Sequence, residues 1–183
     1  MRALPVIVLL AACEDVPQPY DLDHARVMAV RIDPPAIAPG ERATVEVLVT
    51  DSAASPYVAT DVSMREVIAG PDPGVVLLDI EVGTADGTLV VQKALTIGAR
   101  RDNPAPPVIA TPLDFVDGEK VTLEVAAPDP ALVYRWFSSV GDLTGFTTPA
   151  ARLDPKAGEG FIVVVVRDVA GGTAWTIAPA TTR

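Results

Sequence analysis

Between residues 26 and 177 the chain repeatedly alternates apolar and polar side chains with a period of two, the pattern of strands with one face buried. In the first half the runs Arg26–Ile32, Thr44–Thr50, Val75–Val82 and Leu89–Ile97 read this way. The last two flank Gly83–Thr88, whose Asp86-Gly87 step is a hairpin signal. In the second half Val121–Ala127, Leu132–Phe137, Phe161–Arg167 and Thr173–Ile177 read as strands, with Gly171-Gly172 turning the chain between the last two. Phe161 to Val166 departs from the alternation. It is apolar at every position, which predicts a central strand covered on both faces. Ser63–Gly70 is ambiguous: Ser63 and Glu66 have capping-box spacing and Gly70 suits the end of a short helix, yet a short strand fits nearly as well.

Two of these strands belong to a repeat. Ala38–Val47 aligns without gaps on Val116–Val125, 78 residues further on. Gly40 matches Gly118, Glu41 matches Glu119, Arg42 matches Lys120, and Thr44-Val-Glu-Val47 matches Thr122-Leu-Glu-Val125. Each copy is a Gly-containing turn feeding a strand, with Val45, Val47 and Val49 on one face in the first and Val121, Leu123 and Val125 in the second. The polar, Pro-rich stretch Arg100–Pro107 separates the copies as a linker separates domains. The expected units are residues 25–104 and 105–183.

The N-terminus has a different pattern. Met1-Arg2 is a short positive region, Ala3–Leu10 is apolar, and Leu10-Ala11-Ala12-Cys13 follows at once. This order is that of a secretory signal with small residues before its cleavage site, and Leu-Ala-Ala-Cys resembles the lipobox of bacterial lipoproteins. The resemblance implies cleavage after Ala12 and a diacylglycerol on Cys13, making residues 1–12 a signal peptide. The competing reading is an ordinary N-terminal strand with a chance Cys. Ala3–Ala12 is far shorter than the ~20 residues that cross a bilayer, so the expected membrane contact is an anchor and not a span. Residues 13–24 hold prolines and several acids and read as a short flexible tether. Glu14, where an Asp marks inner-membrane retention, favours the outer membrane.

Composition agrees with strands and turns: hydrophobic residues make up 49%, while 18 Pro and 13 Gly stand beside only 5% aromatics. Twenty-four acids against 14 bases give a net charge of −10, which argues against nucleic acid as a partner. One Cys rules out an intrachain disulfide.

Candidate chemistry is sparse. His24, the single His, falls in the tether, where the geometry of a general base is hard to hold. Gly-x-Ser-x-Gly, His-Glu-x-x-His, Cys-x-x-Cys and a phosphate-binding loop are all missing from the sequence. No cofactor is implied, and the chain does not read as an enzyme. Asp102, Asp117, Glu119, Asp129 and Asp168 sit at turns where calcium between β domains is one reading. Solvated turn acids are the plainer one, and no metal is assigned. For glycan or peptidoglycan binding the candidate aromatics are Tyr57, Trp136, Phe137, Phe146 and Trp175.

In the second half, Glu119-Lys-Val-Thr-Leu-Glu-Val125 leads to Tyr134-Arg-Trp136, then to a Val-rich strand ending Val166-Arg-Asp168 and a Gly-Gly turn. This order resembles the polycystic-kidney-disease-type and related immunoglobulin-like domains of bacterial surface proteins, in which a buried Trp follows the repeat strand. The whole chain resembles bacterial lipoproteins built from such domains. The resemblance implies an all-β protein: two tandem immunoglobulin-like β-sandwich domains after a lipoprotein signal and short tether. Trp136 and Trp175 are the expected core aromatics. The implied role is non-catalytic: a lipid-anchored envelope spacer, adhesive or protein-interaction module. Its partners are the membrane through Cys13 and an envelope protein or a glycan.

Overall fold

The computed structural model describes residues 18–183. Regular structure among them is entirely β. In the first half the strands are β1 (Arg26–Asp33), β2 (Ala36–Ile37), β3 (Arg42–Thr50), β4 (Tyr57–Val58), β5 (Glu66–Ile68), β6 (Gly74–Thr84) and β7 (Gly87–Ile97). In the second they are β8 (Asp114–Phe115), β9 (Val121–Glu124), β10 (Val133–Ser138), β11 (Gly141–Thr144), β12 (Ala150–Pro155), β13 (Gly158–Arg167) and β14 (Thr173–Thr182). Each half forms a sandwich. A sheet β1-β3-β4, with β5 also on β3, faces β2-β7-β6; a sheet β10-β13-β14-β8 faces β11-β12-β9.

The repeat has one structural meaning in both sandwiches. A two-residue strand (β2 or β8) pairs in parallel with the last strand of its domain. The chain then turns through Gly40 or Gly118, with φ of 80° and 71°, where a side chain would be strained. In each turn the glycine N–H reaches a carbonyl across the sandwich, Ala69 in one case and Pro155 in the other. The following Glu N–H closes the turn on Ala38 or Val116. The next strand, β3 or β9, crosses to the opposite sheet. This switch of sheets, with a parallel first–last pairing, is the immunoglobulin-like arrangement of a two-sheet sandwich.

Several strands were not visible to periodicity. β11 and β12 lie in the polar stretch after β10, where Leu143, Ala151, Leu153 and Pro155 are buried. Ser63–Gly70 resolves as the short strand β5, because its backbone completes the side of β3 at Arg42–Thr44.

Two cores fill the sandwiches. In the first, Val45, Val47 and Val49 of β3 meet Ile80, Val82 and Leu95. In the second, Trp136 is fully enclosed among Leu123, Leu153 and Val164, and its indole N–H donates to the Thr148 carbonyl at 2.9 Å. Burying an indole satisfies both its area and its one donor only when such a partner is in reach.

A third core joins the two sandwiches. Met28, Ala29 and Leu48 on the outer face of β1-β3 pack against Phe137, Val163 and Val165 on the outer face of β10-β13-β14. A bulge in β1 between Val27 and Ala29 helps, because the extra residue places Met28 and Ala29 together on the seam side. The four sheets therefore stack face on face, and β13 is apolar from Phe161 to Val166 because Ile162, Val164 and Val166 face its own core while Val163 and Val165 face the other domain.

The expected flexible tether requires correction where the structure describes it. Residues 18–24 are docked as a strap. Tyr20 enters the second core, Leu22 is fully buried in the seam, and Asp21 forms a parallel bridge with Ser138 of β10. The physical reason is that the strap runs along the edge of β10, where Tyr20 can bury in the second core and Leu22 in the seam while the Tyr20 carbonyl accepts the Ser138 N–H at 3.0 Å.

Candidate interaction surfaces

The densest cluster of chemically distinctive side chains lies in and around the seam. The Arg31 guanidinium sits over the Trp175 ring at 4.8 Å and is held from below by Glu46. Arg26 lies over Phe137 at 5.4 Å and donates to the Asp21 carbonyl at 2.9 Å. Arg167, from the second domain, donates to the Met28 carbonyl of the first at 2.9 Å. Asn103, in the linker, works in both directions. Its Nδ2 donates to the Ile32 carbonyl at 2.9 Å, and its Oδ1 accepts the Thr173 N–H at 2.9 Å. Lys93, from β7, reaches across to the β13–β14 turn and donates to the Gly171 carbonyl at 2.7 Å and Thr173 Oγ1 at 3.1 Å.

Burial in the seam changes these cations. Loss of water pushes the Arg26 and Arg167 guanidinium pKa values down, and the nearby charge of Arg135 adds to both shifts. The Lys93 ammonium is likewise pushed down by burial and by Arg167, with Asp168 opposing. At the strap, burial raises the Tyr20 phenol, and Asp142 and Asp21 raise it further. The Lys156 ammonium is raised by its hydrogen bond to Asp142 at 3.0 Å.

The sequence-selected residues fall in separate places. Leu10, Ala11, Ala12 and Cys13 lie outside the described residues. Trp136 is in the second core and Trp175 is half-buried under Arg31. Phe137 is buried in the seam, Phe146 packs on Tyr20 with ring centroids 5.3 Å apart, and Tyr57 leans on the first core. The five aromatics therefore make no shared open platform. The turn acids are also apart in role. Asp168 accepts the N–H groups of Ala170 and Gly172, both at 2.8 Å, and Asp129 caps Ala131 at 2.8 Å. Among the described residues no group of three or more His, Cys, Asp or Glu is placed to hold a metal ion. The His24 Nδ1 lies 2.8 Å from Asp23 Oδ1 at the end of the strap.

Sequence reasoning missed Leu22, Met28, Arg31, Lys93, Asn103 and Arg167. The signal that pointed to them was indirect: a β13 covered on both faces needs a second apolar surface somewhere in the molecule.

No protein-family model matches the chain, and a search of curated proteins finds no match. Among solved structures the chain is similar to a chimeric titin Z1Z2 tandem, at 14% identity and TM-score 0.31, over 87% of this chain and 99% of that one. It is similar to murine CEACAM1b at 13% identity and TM-score 0.34, over 85% and 100%. A third likeness is to the four N-terminal immunoglobulin domains of Dscam1 isoform 1.9, at 15% identity and TM-score 0.34, over 81% and 43%. At these TM-scores the likenesses carry no argument about this chain. The strand order defines the class directly: a two-domain immunoglobulin-like β-sandwich protein.

Proposed function

We propose that this chain is a lipid-anchored protein of the cell envelope that works without catalysis, through protein contacts made by a rigid pair of immunoglobulin-like domains. The observation that carries the reading is the seam. Arg31, Arg167, Phe137 and Trp175, the residue types from which binding sites are usually built, are engaged in holding the domains to each other. What faces outward is sheet surface, turns and a net charge of −10. Face-to-face stacking also makes a shorter body than end-to-end domains would, which suits a module that presents a surface better than one that spans a distance. Glycan binding loses its main support, because Trp136 is enclosed in a core and Trp175 is covered by Arg31.

Anchoring rests on Leu10-Ala11-Ala12-Cys13, with Cys13 lipidated and the outer membrane as the address. Metabolic labelling with radioactive palmitate should mark the wild-type chain and leave Cys13→Ser unlabelled. In-cell cross-linking of the tagged protein, followed by mass spectrometry, tests the interaction role. One envelope protein recovered in near-equal amount from wild type, and lost in Cys13→Ser, is the expected result; recovery of glycan alone would overturn it.

A further inference from the structure

β6 is the outer strand of its sheet, and only its C-terminal part is covered. Ser63 N–H bonds to the Glu81 carbonyl and Gly83 N–H to the Asp61 carbonyl, so the main-chain groups of Glu81 and Gly83 point away from β7. The β6–β7 register continues without a bulge from Gly74 to Thr84. By the alternation of an antiparallel ladder, Val75, Leu77 and Asp79 also turn their N–H and C=O groups to the outside. Among the described residues nothing pairs with them there. The side chains of Val75 and Leu77 are exposed too, at 67% and 59%, on the outer face of the sheet beside Ala94. Natural edge strands are usually protected by a Lys, a Pro or a bulge. Gly74-Val-Val-Leu-Leu78 has none of these.

We infer that the open edge of β6 is a homophilic pairing site, at which two copies of this chain join their β6 strands antiparallel about a two-fold axis at Leu77. A row of outward N–H and C=O groups is satisfied by another strand, and an antiparallel edge is complementary to itself across a two-fold axis. The flanking residues select the register. With the axis at Leu77, Leu77 faces its own copy and Val75 faces Asp79, so every open donor and acceptor finds a partner. Moving the axis toward Val75 brings Pro73, which has no N–H, against the pairing groups. Moving it toward Glu81 meets a backbone already bonded to Ser63. Charge points the same way. Copies with a net charge of −10 repel, and Gly74–Leu78 is an uncharged stretch. In the Leu77 register the two Asp79 carboxylates stand roughly 13 Å apart along the strands, so no like charges meet. The result is one continuous sheet, β2-β7-β6 joined to its symmetry mate, with Val75, Leu77 and Ala94 of both copies forming a shared apolar strip.

This inference is independent of lipid anchoring and is tested on the purified full chain carrying Cys13→Ser, which has no other thiol. In the proposed register, paired Cα atoms lie about 5.5 Å apart, within disulfide reach. Leu77→Cys should therefore form a covalent dimer on mild oxidation. Asp79→Cys alone should not, while the double variant Val75→Cys with Asp79→Cys should. Sedimentation of the Cys13→Ser chain at rising concentration should show a dimer, and Leu77→Lys, which sets two ammonium groups face to face, should abolish it while leaving the circular dichroism spectrum unchanged. Equal cross-linking of Leu77→Cys and Asp79→Cys, or a monomer at every concentration, would overturn the inference.

Discussion

At the scale of single residues, polar atoms decide where large side chains can go. Trp136 can be enclosed because Thr148 offers a carbonyl to its N–H. Trp136→Ala should cost about 3–5 kcal/mol, the range for emptying a large aromatic site, measured by urea denaturation followed in the far ultraviolet. Lys93 has the opposite character. Burial lowers its folded pKa below 10.5, so the folded state sheds the proton first. Between the folded pKa and 10.5 the unfolded chain binds more protons, and the Lys93 contribution to stability therefore rises with pH across that window. Tyr20 and Tyr57 are shifted above 10.0 and act in reverse, losing stability as pH climbs through that value. The difference in melting temperature between wild type and Lys93→Met isolates the lysine. It should grow in favour of wild type as pH rises toward 10.5, and a flat difference would show that Lys93 is not desolvated.

At the scale of elements, legibility depended on whether a strand carried its own pattern. β3, β6, β7, β9 and β13 each bury enough alternating or continuous apolar residues to be read directly. β2, β4 and β8 are two residues long and exist because a neighbour supplies hydrogen bonds. The strap was misread for a related reason. Its Pro19 and its acids describe free chain, while Tyr20 and Leu22 are too few to register as a strand. Leu22→Ala distinguishes the readings. A docked strap predicts a loss of about 2–5 kcal/mol, whereas a substitution in free chain stays within ~0.5 kcal/mol. Equilibrium unfolding in urea measures it.

At the scale of the molecule, the seam turns two sandwiches into one body. Both Trp residues lie in the second domain, so fluorescence reports that domain while far-ultraviolet dichroism reports both. With a shared core the two transitions should coincide in the wild type. Leu48→Asp places a charge in the seam without touching either inner core. It should separate the transitions and raise the radius of gyration in small-angle scattering; an unchanged radius would mean that the domains hold together by other contacts.

The all-β class, the repeat and the paired domains were determined by the chain itself, because each follows from local periodicity or from a turn glycine acting over a few residues; the enclosed Trp136 was implied only by the resemblance to immunoglobulin-like domains. The candidate lipid anchor is likewise a local motif, carried by residues outside the described fold. Which faces meet was decided only in the tertiary structure. A two-sided apolar strand such as β13 states that something must cover it and leaves open what does. The answer lay 115 residues away, at Leu48, on a strand whose own pattern had already been accounted for by its inner face. The open edge of β6 has the same origin: side-chain pattern records burial, while the pairing of backbone groups depends on which strands the fold brings alongside.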